Sequence, residues 1–129
     1  MSQLLGIKVQ RTGKVARASS HIVWSGTTEP AREEHKKFIR TRVHDPEYDG
    51  ELSFENVESD VLVDRLGHHR LADGRLVDIC DVRGITAFGY ILKLRKRGGL
   101  RHSTLFHCYV NGQGMGCSAG LQLVSKSSN

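Results

Sequence analysis

The 129-residue chain predicts an α+β fold: an antiparallel β-meander of about five strands, a curved sheet or partial barrel, with one covering helix near residues 28–43. Three observations carry this. From Glu51 onward, short runs of apolar–polar alternation follow one another at even intervals. The breaks between them are turn signals: Asp73-Gly74, Arg83-Gly84, Gly98-Gly99 and Asn111-Gly112. Only one segment, starting at Thr27 or Thr28, carries helix signals at both ends.

The elements follow in order. Residues 1–20 hold Lys8, Arg11, Lys14 and Arg17 and no acid, and Gly6-Ile7-Lys8-Val9 can start a strand. This stretch reads as a basic N-terminal arm or first strand. His21 to Trp24 is a short apolar run closed by Ser25-Gly26, and Trp24, the sole tryptophan, is expected to anchor a core or an interface. In the helix, Thr27 or Thr28 is the N-cap, and Glu33 and Glu34 complement the positive end of the dipole. Lys36, Lys37, Arg40 and Arg42 load its C-terminal half. Its apolar stripe is thin: Ala31, Phe38 and Ile39, with Val43 or His35 at its margin. His44-Asp45-Pro46 ends it, because the residue before proline disfavours helix.

Beyond the helix, Leu52 and Phe54 alternate with polar residues, and Val61-Leu62-Val63 leads into a longer run. Arg75 to Val82 is a strand after the Ala72-Asp73-Gly74 hairpin turn. Ile85 to Lys96 is the longest strand, with Phe88, Tyr90, Leu92 and Leu94 expected on its core face. His102 to Val110 places Phe106, Cys108 and Val110 on one face, and a last strand is expected around Cys117 to Val124. Residues 21–125 read as a single α+β domain and 126–129 as a polar tail.

Charge is the most informative feature of the composition. The 19 Lys and Arg outnumber the 14 Asp and Glu, for a net charge of +5. Eight of the acids fall between Asp45 and Asp64: these two with Glu47, Asp49, Glu51, Glu55, Glu58 and Asp60, and no Lys or Arg lies among them. All basic residues lie outside that interval. A folded chain so arranged has separate acidic and basic surfaces.

The basic residues are densest at one hairpin, where Lys93, Arg95, Lys96, Arg97 and Arg101 surround Gly98-Gly99. A twisted ribbon with a cationic side can follow a phosphate backbone, and Tyr90 and Tyr109 are close enough in sequence to offer stacking surfaces. A solvated tip that guards an edge strand accounts for the same charges.

Other constellations are weaker. A metal site drawn from His68, His69, Cys80, Asp81, His107 and Cys108 matches no compact zinc spacing, so no metal or cofactor is expected. Asp78 and Asp81, three apart on a strand, face opposite ways, whereas Asp78 and Cys80 share a face. Cys80 or Cys108 beside a histidine is a conceivable nucleophile, and His102 or His107 beside Asp81 a conceivable base. No recognisable motif joins them, and the chain leans away from enzymes. Gly112-Gln113-Gly114-Met115-Gly116 lacks the following helix that a phosphate cradle needs and reads as a hairpin loop. Three cysteines, an odd number without a CxxC pair, are expected to be free thiols. No run approaches the ~20 apolar residues of a membrane span, and no signal-cleavage pattern opens the chain, so a cytoplasmic or intracellular-particle location is expected.

The segments DVRGITAFGYILKLRK and HSTLFHCYVNGQG, following one helix, resemble in outline the last two-thirds of cone-shaped NTF2-like domains. The resemblance implies a curved sheet able to enclose a small molecule. It covers a strand pattern without a functional motif, and no site residue is carried over from it.

Three functions therefore stand open. The first is a non-enzymatic nucleic-acid-binding or assembly subunit of a ribonucleoprotein, virus or phage particle, with RNA preferred over DNA. It would contact phosphates through the basic hairpin and form homo-oligomers head to tail by charge complementarity, with Asp45, Glu47, Asp49, Glu51, Glu55 and Glu58 at the interface. The second is a small-molecule-binding domain or enzyme with a pocket between helix and concave sheet. The third is a protein-interaction module docking through residues 45–64.

Overall fold

The computed structural model describes residues 3–12, 19–42 and 51–126. The fold is α+β, as expected: antiparallel strands dominate, arranged in one sheet of three and one of five, with one α-helix among the described residues. Contacts divide the chain into two compact units at Ser59/Asp60.

The first unit contains β1 (Gln3–Thr12), β2 (Ser19–Gly26), α1 (Glu29–Arg42) and β3 (Glu51–Asp60), with sheet order β2-β1-β3. β1 is the central strand, which explains why Leu4, Leu5, Ile7 and Val9 are all buried. Trp24 pairs with Gly6 across the β1–β2 ladder and is buried. A Cβ on Gly6 would stand 2.5 Å from the Trp24 ring, so the ring rests directly on the backbone.

Helix α1 packs on β1 and β2. The Ala31 amide donates to Thr28 Oγ1 at 3.3 Å, identifying Thr28 as the cap. The helix's inner face differs from the expected stripe. Phe38 is 53% exposed, whereas Arg32 is buried and donates to the Val57 carbonyl at 3.2 Å. Its guanidinium also pairs with Glu29 and, at 3.7 Å, with Glu58. With so few apolar residues on α1, a paired arginine occupies the position a leucine would ordinarily hold.

The second unit contains β4 (Gly67–Leu71), β5 (Leu76–Arg83), β6 (Thr86–Leu94), β7 (Leu100–Tyr109) and β8 (Leu123–Lys126). The order β7-β6-β5-β4-β8 is a four-strand meander to whose first strand the last returns. After β7 the chain reverses at Asn111-Gly112, forms the bridges Cys108↔Gly114 and Gln113↔Gln122, and makes a three-residue 3-10 turn at Gly116–Ser118. Strand β8 consequently starts at Leu123, later than the sequence pattern places it. The glycine-rich segment serves close packing, since a Cβ on Gly114 would strike the Ser118 carbonyl.

The core of this unit is Val63, Leu71, Val77, Ile79, Ala87, Ile91, Phe106, Cys108 and Leu123. Here one expectation is overturned. The buried face of β6 carries Ala87, Gly89 and Ile91, and the face of Phe88, Tyr90 and Leu92 is the outer one. Gly89 explains the inversion. It pairs with Ile79 and Phe106, a Cβ there would collide with the Asp78 carbonyl, and the wholly buried Phe106 is the large side chain in that stretch of core.

Two irregularities shape the outer face. The β5–β6 register shifts between Ile79 and Asp81, leaving Cys80 as an extra residue, and the β6–β7 register shifts between Ile91 and Leu92, leaving Ser103 extra. Because Asp78 pairs with Tyr90 and Asp81 with Phe88, the first bulge brings both aspartates to one face. Simple alternation separates them; the bulge reverses that expectation.

Candidate nucleic-acid interface

The outer face of β5, β6 and β7 is built in three cross-strand rows. Asp78 lies opposite Tyr90, which lies opposite Leu105; Asp81, Phe88 and His107 form the next row; Arg83, Thr86 and Tyr109 the third. Each row carries an aromatic side chain, and rows two residues apart repeat at about 6.7 Å. Tyr90 and Tyr109 thus share a face but stand about 13 Å apart along β7, with the middle row between them.

The rings are paired. Phe88 and His107 stack with centroids 4.1 Å apart and planes inclined by 15°. Tyr90 and His102 stack at 4.6 Å and 9°, a diagonal contact that the Ser103 bulge permits. Tyr90, Leu105 and His102 are exposed. His107 is held from behind, its backbone amide donating to Ser118 Oγ at 3.0 Å, and its Nε2 is buried with no hydrogen-bond partner among the described residues.

Beyond these rows, β6 and β7 continue into the hairpin. Lys93, Arg95, Lys96, Arg97 and Arg101 are all exposed. Among the described residues none of the five has an ion pair, although Arg32, Lys36, Arg75 and Arg83 all do. Lys93 lies directly opposite Arg101, a like-charge cross-strand pair that disfavours the isolated hairpin and favours any anion placed beside it. Leu94 and Leu100, also opposite one another and exposed, extend the aromatic face, and alternation puts Lys93 and Arg101 on the reverse side of the ribbon.

At one edge of the aromatic face, His102 Nε2 lies 2.9 Å from Asp78 Oδ2. Cys80 Sγ is 3.6 Å from the Asp78 carbonyl and 3.9 Å from Oδ2. The histidine partner of a carboxylate is therefore His102 with Asp78, not with Asp81, which pairs with Arg83 at 2.6 Å. Desolvation, with the Asp78 charge beside it, pushes the Cys80 thiol up. That is the opposite of what a nucleophilic cysteine requires.

The remaining sequence candidates scatter. Cys108 is in the core, where burial pushes its thiol up to about 12. His69 is buried with Nδ1 3.0 Å from the Gly67 carbonyl, and all three cysteines are free. Of the acidic candidates, Asp45, Glu47 and Asp49, and the side chain of Glu51, lie outside the described residues; Glu55 is exposed, and Glu58 faces Arg32. Sequence reasoning missed His102 and Asp78 as partners, since no linear spacing announces a contact across two strands. No helix among the described residues is long and apolar enough to cross a membrane. No family model, curated protein or solved structure matches the chain.

Proposed function

We propose that this protein is a non-enzymatic nucleic-acid-binding subunit that takes single-stranded RNA on the outer face of β5–β7. The observation that carries the reading is the ladder of Tyr90 and Phe88, each stacked on an imidazole, with Tyr109 in the next row, running into a hairpin whose five cations have no described acidic partner. Unpaired bases stack on exposed aromatic rings with little regard to sequence, and lysines and arginines supply salt-sensitive affinity for the backbone. The hairpin is only two strands wide. A strand leaving the aromatic face past Leu92 and Leu94 therefore meets the long side chains of Lys93, Arg95 and Arg101 at the ribbon's rim.

The test is a fluorescence-anisotropy titration of a labelled oligouridine at several salt concentrations. If all five cations meet phosphates, log affinity falls against log salt with a slope near about −3.5, and Arg95→Gln with Arg97→Gln reduces its magnitude by about 1.4. Affinity independent of salt, or unchanged in the double variant, would assign the hairpin to edge protection instead.

A further inference from the structure

We propose that Asp78, Cys80 and His102 form a binding site for a borderline-soft divalent cation of the zinc type, with one coordination position open to solvent. Asp78 Oδ, Cys80 Sγ and a His102 ring nitrogen lie within 4.8 Å of one another, the one such group of three among the described residues. Metal–ligand bonds of about 2.0–2.3 Å in a tetrahedron set ligand atoms roughly 3.3–3.5 Å apart. The Asp78–His102 separation of 2.9 Å and the Asp78–Cys80 separation of 3.9 Å bracket that range. The third side, from Cys80 Sγ to the His102 ring nitrogen, is within 4.8 Å and joins two exposed side chains, so rotation about their side-chain bonds can close it.

The fold places each donor. Asp78 stands on the outer face opposite Tyr90. The register shift at Ile79/Asp81 makes Cys80 the extra residue beside it, and such bulges re-aim side chains at functional positions. Stacking on Tyr90 fixes the plane of the His102 ring. One sulfur, one nitrogen and one oxygen suit zinc or cobalt and are unsuited to magnesium or calcium, which require all-oxygen shells. On binding, the Cys80 thiol gives its proton to solvent and the resulting thiolate bonds the metal; no electron changes hands. The pair of anionic ligands balances the dication, and solvent access at Cys80 and His102 leaves room for a water as fourth ligand. The site stands independently of the nucleic-acid reading, since the metal alone is its probe.

Cobalt(II) titrated into metal-free, reduced, full-length protein is expected to bind one equivalent. It should give four-coordinate d–d bands and a thiolate-to-cobalt charge-transfer band, both abolished by excess zinc. Cys80→Ser should remove the charge-transfer band, and Asp78→Asn and His102→Gln should each weaken cobalt binding at least about tenfold. Cys117→Ser, altering the other exposed thiol, should change neither. A charge-transfer band that persists in Cys80→Ser, disappears in Cys117→Ser, or never forms in the parent protein overturns the proposal. Should Cys80→Ser fail to fold, His102→Gln, on a different strand, tests the site independently, and undiminished cobalt affinity in that variant overturns the proposal as well.

Discussion

The two units differ in where they leave charged and aromatic side chains exposed. In the first, Arg32 is buried against Glu29, Glu58 and the Val57 carbonyl, Lys36 meets Glu33 at 2.9 Å, and Arg40 covers the Phe54 ring at 4.8 Å. In the second, the hairpin cations lack described acidic partners, and Tyr90 and His102 stack on each other in the open. Arg75 and Arg83 of the second unit are paired as well, so its cations without described acidic partners are concentrated at the hairpin. The core of the second unit is apolar, and its outer face leaves Tyr90, His102 and the hairpin cations exposed. The contrast is between cations held by partners inside a unit and cations gathered at one hairpin without a described acidic partner.

The largest effect is expected in the core of the second unit. Phe106→Ala should cost about 3–5 kcal/mol in urea unfolding, because a wholly buried ring is lost opposite a glycine that cannot fill the space. A loss below about 1 kcal/mol would mean that this core is not what stabilises the sheet. Next is Arg32→Ala in the first unit, expected to cost roughly 1.5–3 kcal/mol through a lost charged hydrogen bond and buried stem. Arg95→Ala, by contrast, should leave the unfolding midpoint unchanged. Equal effects of these two arginines would erase the distinction between the units.

Tyr90→Ala should weaken oligouridine binding by about 1–3 kcal/mol while Tyr90→Phe retains most of the affinity, since the contribution is stacking rather than the hydroxyl. The smallest effect concerns pH. The folded-state thiol of Cys108 is raised to about 12, so its stabilisation is complete below the unfolded thiol value of ~8.5 and is lost as pH rises toward 12. Between about pH 8 and 9.5 the parent protein should therefore lose about 1 kcal/mol more than Cys108→Ala does. Parallel pH profiles for the two proteins would contradict the burial of that thiol.

Much of the fold was legible because its signals are local. Thr28 and the charge order of α1 mark a helix that the structure bounds at Glu29–Arg42, and Asp73-Gly74 turns the chain where expected, with Gly74 at φ 95°. The inner face of α1 escapes a hydropathy reading because Phe38 is more apolar than Arg32, yet a guanidinium with a carbonyl and two carboxylates at hand can be buried. The faces of β6 are inverted for a related reason. Phe88, Tyr90, Leu92 and Leu94 look like a core stripe, but Gly89 forces close strand approach and the core volume comes from Phe106 on the neighbouring strand. The Asp78–Cys80–His102 cluster was beyond reach of spacing arguments altogether, because it depends on the bulge at Cys80 and on a contact across 24 residues.

Residue-resolved amide spectra of the uniformly labelled protein, recorded as unlabelled oligouridine is added, address the account most directly. Resonances of Tyr90, His102, His107 and the Lys93–Arg101 hairpin should shift together and saturably, while those of β1, β2 and α1 stay in place. Shifts gathered on α1 and its sheet, or none on the outer face of β5–β7, would contradict it.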